Sequence, residues 1–592
     1  MCGIIGIYND RNRIDEKTLA AMTAALRHRG PGAFGSITAL DGRLGIAHTR
    51  LKLVDLSPAA DQPAIFGKSV LSFNGEIYNH NELREELRKR GAVFTTKSDT
   101  EVLARSILEW GMNKALGKLN GCFAFIFLDE TNRKLYVVRD HAGKKQVVYC
   151  RAKNGDWVIA SEVKAIIKHP YAPKQPNIDR FASDLVFKFF SDKTETYFKD
   201  IFYVPAGHYL VFDLKTEEKP KLVKYWDIDE CLDPNGLSES EIMSIFENYL
   251  KDSVSLRMSA DCEVGSILSG GIDSSIITKF AADTNYSRFG KPLQCITMKY
   301  CGVENRDLQY ARQLALASKK MELHEIEIKN ECDTGLFDKI TLALEEPLLD
   351  KVYLAQYANY EKAKKLGLRA VINGQGSDEL WLGYYFFYKI FRIPPARVNY
   401  ENLVKFWLGN YNSYFAGSFP KHSRINRIIV KNLDRNFAPY DKTGGLDSLV
   451  NFSIKTHLPA MFIQEDRLSM ASGVEARCPH VDLRLIKLAL STPAARKIKD
   501  RREKYLLRKM SKPFLPQGIC SRRKLAFPDP PNAYDRAVEI LFNKKDLQKS
   551  AIIGEIFDKK IFRAGLSDFY RLPIRKRWEL IAVSRMEKVF FA

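Results

Sequence analysis

Up to about Asp213 the hydrophobic positions fall in short runs, at 3–8, 44–47, 69–73, 122–128, 135–139, 158–160 and 208–212, with turn-forming clusters between them. Runs of that length, bounded that way, predict β-strands, with a few helices such as 81–90 interposed. Residues 214–236 are charged, carry two prolines and read as a linker. The pattern then changes. Ser238 with Glu241 makes a capping box, and Ile242, Ile245, Phe246, Tyr249 and Leu250 follow at helical spacing. Beyond it strands and helices alternate: strand 263–268, a Gly-Gly loop, a helix from Ser274, strand 293–299, helix 308–318, strand 323–328, helix 353–366 and strand 369–373. Such alternation predicts a parallel, doubly wound sheet covered on both faces. From Asp378 onward the chain reads as mainly helical. The expected organisation is therefore a β-rich unit at 1–213, a linker at 214–236 and an α/β unit with a helical C-terminal region at 237–592.

The chain has 592 residues, of which 45% are hydrophobic and 28% charged, enough for more than one core and too apolar for wholesale disorder. No apolar run approaches the roughly 18 residues of a membrane span, and the opening MCGIIGIYNDRNR has no basic leader, so a cytoplasmic protein without a membrane span is expected. The 10 cysteines are scattered without a CxxC pair, which argues against structural zinc and a disulfide framework. Lys and Arg outnumber Asp and Glu by 92 to 71, and 25 against 11 of these lie between Leu490 and Ala592. The basic end suits an anionic partner or a solvated basic face. No nucleic-acid module accompanies it, and nucleic-acid binding is not expected.

Cys2 directly follows the initiator Met. If that Met is removed, a thiol and an α-amine share one residue, with reference pKa values of about 8.5 and about 7.7–8.0, so the amine can serve the thiol as base. Arg50 in AHTRL offers a fork for an α-carboxylate, and Asp99 in SDTE a partner for an α-ammonium group. Asn74 and Gly75 in FNGEIYNH offer side-chain and backbone N–H groups to an oxyanion. Together they form a site for a small amino acid amide.

A second site follows the strand at 263–268. In Ser269-Gly270-Gly271-Ile272-Asp273-Ser274-Ser275 the glycines let backbone approach phosphate, the helix N-terminus aims N–H groups at it, and Asp273 supplies a carboxylate for Mg²⁺. The Lys of a Walker-A loop is missing. A second loop, Asn373-Gly374-Gln375-Gly376-Ser377-Asp378-Glu379, belongs at the carboxyl edge of the same sheet, with Asp378 as the second metal carboxylate.

MCGIIGIY, LRHRGPG, AHTRL, FNGEIYNH, SDTE and NGCFAFIFLD resemble the glutaminase domain of class II glutamine amidotransferases. The resemblance implies an N-terminal-nucleophile fold of stacked antiparallel sheets with helices, attack of Cys2 on the glutamine carboxamide with release of ammonia, and glutamine binding by Arg50, Asn74, Gly75, Glu76 and Asp99. The loop SGGIDSS resembles that of the ATP pyrophosphatases. With EEPLLD, EDRLSMASGVEARCPHVD and LPQGICSRRKLAF in this order, the whole chain resembles the asparagine synthetase family. That implies ATP contacts at Ile267, Leu268, Ser269, Gly270, Gly271, Asp273, Ser274, Ser275, Met298, Asn373 and Gly374, with Lys504 and the nearby Arg508 facing the leaving pyrophosphate. It also implies Mg²⁺ at Asp273 and Asp378, and a carboxylic acid acceptor, aspartate by default. A homodimer is compatible with it. Ammonia must travel unprotonated between the sites, which favours an apolar passage.

Three departures stand out. Gly32-Ala33 replaces an acidic residue usual in relatives. Gln146-Val147 replaces Pro-Leu after Lys145. Gln375 replaces the Glu of asparagine synthetases proper, and Gln cannot act as a general base. The last leaves open an acceptor other than aspartate, such as a sugar uronate or a natural-product precursor, or a homologue that senses nucleotide or binds a partner without turnover. The aromatic tract 384–391 reads as helical core more readily than as an acceptor pocket.

Overall fold

Alternation of side chains across a strand organises the first half. The strands are β1 (Gly3–Tyr8), β2 (Ala33–Ala39), β3 (Leu44–Arg50), β4 (Ala64–Phe66), β5 (Ser69–Ile77), β6 (Gly121–Asp129), β7 (Lys134–Arg139), β8 (Val148–Arg151), β9 (Trp157–Ala160), β10 (Phe202–Tyr203), β11 (His208–Asp213) and β12 (Lys221–Lys224). They form two six-stranded antiparallel sheets, ordered β10-β8-β9-β1-β3-β2 and β12-β11-β7-β6-β5-β4. On β6, Ala124, Ile126 and Leu128 meet Ile4, Ile46 and Val137 between the sheets. The intervening Phe123, Phe125 and Phe127 pack outward on the helices His80–Lys89 and Asp99–Trp110, through Leu83, Leu103 and Ile107. Ile5 and Ile7 of β1 face the other way, toward Met22 and Leu26 on and after the helix Glu16–Ala25. The result is two sheets stacked between helices, as the resemblance implied.

This computed structural model describes residues 2–187, 191, 193–216, 218–228, 236–300, 306–328, 332–384, 422–437, 445–500, 502–523, 533–556, 569–570 and 572–592. In the second half, β13 (Val264–Ile267), β14 (Leu293–Tyr300), β15 (Met321–Ile328), β16 (Ala370–Ile372) and β17 (Glu475–Arg477) form one parallel sheet, ordered β15-β14-β13-β16-β17. The order reverses beside β13, so the loops after β13 and β16 open side by side at a topological switch point. The capping box at Ser238 and Glu241 is formed and starts the helix Glu239–Arg257.

The structure departs from the sequence reading in three places. Within 214–236, β12 pairs with β11, and Trp226 and Ile228 are buried. The region after Asp378 contributes β17, whose Glu and Arg disguise a fully buried strand. Strands β2, β4, β8 and β10 lie outside the apolar runs, being short or, in β2, exposed at alternate positions. The tract 385–391, residues 524–527, Cys231 and Cys301 lie outside the described residues, and the other eight cysteines are free thiols. No described helix is long and apolar enough to cross a membrane.

Candidate active sites

β1, β3, β5 and the start of the helix Asp99–Trp110 converge on a cavity lined by Cys2, Arg50, Gly75, Glu76 and Asp99. The Cys2 backbone N–H donates to Asn74 Oδ1 at 3.0 Å. Asn74 Nδ2, on the same amide, is buried without a hydrogen-bond partner, so the side chain that holds the Cys2 nitrogen keeps an unused donor. Gly75 has φ +154°, and a Cβ there would lie 2.1 Å from the Cys122 carbonyl oxygen, so the pairing of β5 with β6 admits no side chain. Burial pushes the Cys2 thiol up, while a backbone hydrogen bond at Leu51 and the Arg50 charge pull it down. Glu76 is pushed well up by burial and by Asp99, and burial also raises Asp99, whose Oδ2 accepts from the Ile77 N–H at 2.9 Å. Two buried carboxylates without enough countercharge suit the α-ammonium of an amino acid.

Arg50 lines this cavity, but its fork is already engaged: Nη1 donates to the Ser57 carbonyl and Asp61, and Nη2 to the Val54 and Asp55 carbonyls. It holds the 54–61 loop in place. The sequence reading missed Glu475, which enters the same cavity from β17. Burial works against its charge, but Lys145 and Arg477 beside it hold its carboxyl down at about 2. It also missed Arg29, whose Nε donates to the Cys2 carbonyl at 2.9 Å. Each has a partner from a distant part of the chain, Lys145 for Glu475 and Asp466 for Arg29.

At the second site the chain passes Ile267 and Leu268 and turns at Gly270 (φ +79°), where a Cβ would lie 2.0 Å from the Asp307 carbonyl oxygen. Gly271 caps the helix Ile272–Phe289. Ser269 Oγ and Ser274 Oγ are 2.9 Å apart, and Ser275 Oγ is buried without a partner. The second loop presses on this turn: a Cβ on Gly374 would lie 2.6 Å from the Ser274 nitrogen. Met298 sits on neighbouring β14, its sulfur accepting from Asn359 Nδ2 at 3.3 Å. The Gln375 N–H donates to Asn373 Oδ1 at 3.0 Å.

Lys504 joins the loops. Its Nζ lies 2.6 Å from Asp273 and 2.5 Å from Asp378, and these carboxylates outweigh burial and raise its pKa. Gly383 makes room for the arrangement, since a Cβ there would lie 1.9 Å from Asp378 Oδ1 and 2.0 Å from Lys504 Cε. Among the described residues no three His, Cys, Asp or Glu side chains gather as a metal cage. Two carboxylates converging on one point nevertheless fit Mg²⁺, which keeps waters and takes its remaining oxygens from nucleotide phosphates. Arg508 does not face this site: its guanidinium is held by Glu503 and the Cys520 and Arg522 carbonyls. Arg522 reaches it instead, donating to the Gly270 carbonyl at 2.9 Å and pairing with Asp307.

Charged side chains cross the boundary between the two halves. β17 begins at Glu475 in the Cys2 cavity, and Cys478, just past its end, donates from its sulfur to Asn373 Oδ1 at 3.4 Å. Lys144 and Lys145, from the loop where Gln146-Val147 depart from the family pattern, cross it to Glu465 and Glu475. Gln146 is itself satisfied within its loop, by Arg139 and the Gly143 carbonyl.

An early cysteine whose nitrogen is held by an amide with an unused donor, together with an ATP-type phosphate loop on one chain, defines a glutamine-hydrolysing carbon–nitrogen ligase that uses ATP. Comparison with known proteins agrees: residues 1–226 match the glutamine amidotransferase domain and residues 246–587 match asparagine synthase. The chain belongs to the asparagine synthase family. It is 27% identical to asparagine synthetase [glutamine-hydrolyzing] 3 of Bacillus subtilis, over 95% of this chain and 92% of that one. Asparagine synthetase [glutamine-hydrolyzing] 1 of the same organism is 26% identical over 90% and 87%. Amidase chyE of Penicillium rubens is 26% identical over 85% and 83%.

Proposed function

We propose that Cys2, freed of Met1, attacks the carboxamide carbon of glutamine with its own α-amine as base. The tetrahedral oxyanion is held by Asn74 Nδ2 and the Gly75 N–H, ammonia leaves, and water releases glutamate from the thioester. Glu76 and Asp99 hold the substrate ammonium. At the second site a carboxylate oxygen of the acceptor attacks the α-phosphorus of ATP, pyrophosphate leaves, and ammonia then displaces AMP from the acyl-adenylate to give the amide. Ser269, Gly270, Gly271, Ser274 and Ser275 cradle the phosphates with backbone and hydroxyl donors. Mg²⁺ held by Asp273 and Asp378 would neutralise phosphate charge, and Lys504 remains beside the leaving pyrophosphate. The observation that carries this reading is the pairing, on one chain, of an unpartnered NH₂ group on the Asn74 amide that holds the Cys2 nitrogen with two carboxylates converging on Lys504 at a phosphate loop.

The acceptor is a carboxylic acid, aspartate in the first reading. Gln375 and the amidase-named relatives support a second, in which the acid is larger, such as a sugar uronate or natural-product precursor. Acid-dependent AMP release across a panel of carboxylic acids separates them. Release with aspartate selects the first, release with another acid alone selects the second, and ADP with orthophosphate contradicts both. Gln375→Glu is expected to raise aspartate-dependent turnover, and an unchanged acceptor ranking removes that role from residue 375.

A further inference from the structure

The chemistry above leaves unused a buried charged cluster lying between the two sites. Two consecutive residues of the helix Gly445–Ala471, Glu465 and Asp466, each reach toward one site. Asp466 Oδ2 accepts from Arg29 Nη1 at 2.9 Å, and Arg29 Nε in turn holds the Cys2 carbonyl at 2.9 Å. Glu465 Oε1 accepts from Asn373 Nδ2 at 2.6 Å, and Asn373 Oδ1 holds the Gln375 N–H at 3.0 Å. The other oxygen of Glu465 takes Lys144 and the Cys478 thiol, the latter at 3.0 Å. Lys145 pairs at 3.7 Å with Glu475 of the glutamine-site wall. An unbroken series of hydrogen bonds and one short stretch of helix thus runs from the nucleophile to the acceptor loop.

Stability does not require such an arrangement. Replacing a buried ion pair by apolar side chains of similar volume is often neutral or stabilising, whereas removing one partner is costly. In a low dielectric the members cannot part company cheaply, so a shift at one end is passed along. We propose that Glu465 and Asp466 are positioning residues that couple glutamine hydrolysis to occupancy of the acceptor loop, with Lys144 as their anchor on the glutaminase half. Closing of Asn373 and Gln375 on the acyl-adenylate draws Glu465, the helix carries Asp466 with it, and Arg29 resets the Cys2 backbone against Asn74. The inference rests on the two-site reading of the reaction.

The test uses full-length Lys144→Met, Glu465→Gln and the double variant K144M/E465M. Glutamate and pyrophosphate release are measured with glutamine and, separately, with ammonium chloride as nitrogen source. The variants are expected to raise the ratio of glutamate to pyrophosphate at least about fivefold, the lower range of measured coupling between sites. Lys144→Met is expected to keep ammonia-supported pyrophosphate release within about twofold of wild type. If the single variants fail to fold, the double variant, which leaves no unpaired charge, carries the test. A wild-type ratio in the folded variants, or a parallel fall of both activities at constant ratio, overturns the proposal. Absence of ammonia-supported pyrophosphate release from the wild type would instead overturn the two-site reading beneath it.

Discussion

At Asn74 one side-chain amide serves two ends: its oxygen fixes the Cys2 nitrogen, and its NH₂ group waits without a partner. Removing a single oxyanion donor typically lowers kcat by about 10²–10³-fold. Asn74→Ala is therefore expected to lower glutamine-supported kcat by that factor while ammonia-supported turnover stays near wild type. Steady-state assays with each nitrogen source check this, and an equal loss with both would assign Asn74 to folding instead. Cys2, Asn74, Gly75 and Asp99 were legible in the sequence because each lies in a local motif whose residue types suit one chemistry. Arg29, Glu475, Glu465 and Lys144 were not, because their meaning lies in partners hundreds of residues away, as in Arg29 with Asp466. Arg50 was legible as a wall of the cavity, but the demands of the 54–61 carbonyls on its fork were not.

At the scale of elements, the strand runs and the helix–strand alternation announced both architectures, since apolar periodicity is what sheets and helices bury. The element that eluded this reading is β17. Three residues, two of them charged, carry no apolar signal, and only tertiary packing makes them a strand. Elements here also bury neutral imidazoles. Burial lowers His48 on β3 to about 3, His141 after β7 to about 3, and His480 after β17 to about 4, from 6.5. Between those values the unfolded chain binds more protons than the native one, so each histidine subtracts stability as pH falls below 6.5. The loss is about 2 kcal/mol per group at pH 5. His141 is ringed by Phe123, Tyr225 and Trp226, so His141→Phe should remove its share. The stability difference between pH 7.5 and pH 5, from denaturant titrations, is expected to shrink by about 2 kcal/mol in that variant. An unchanged difference contradicts a neutral buried His141.

At the scale of the molecule, two catalytic units of unrelated architecture share a buried boundary. Arg29 pairs with Asp466 across it, Lys144 with Glu465, and Glu345 accepts the Val163 and Lys164 N–H groups. The order of motifs made the two chemistries legible, but it did not reveal that their junction is charged, because neither half holds both members of any such pair. Whether two separable sites carry the reaction is tested by pyrophosphate and AMP release by Cys2→Ala with the cognate acid and ATP, supplied first with glutamine and then with ammonium chloride. Two separable sites require loss of glutamine-supported amide formation with ammonia-supported amide, AMP and pyrophosphate retained. Loss of both, or retention of both, contradicts that separation.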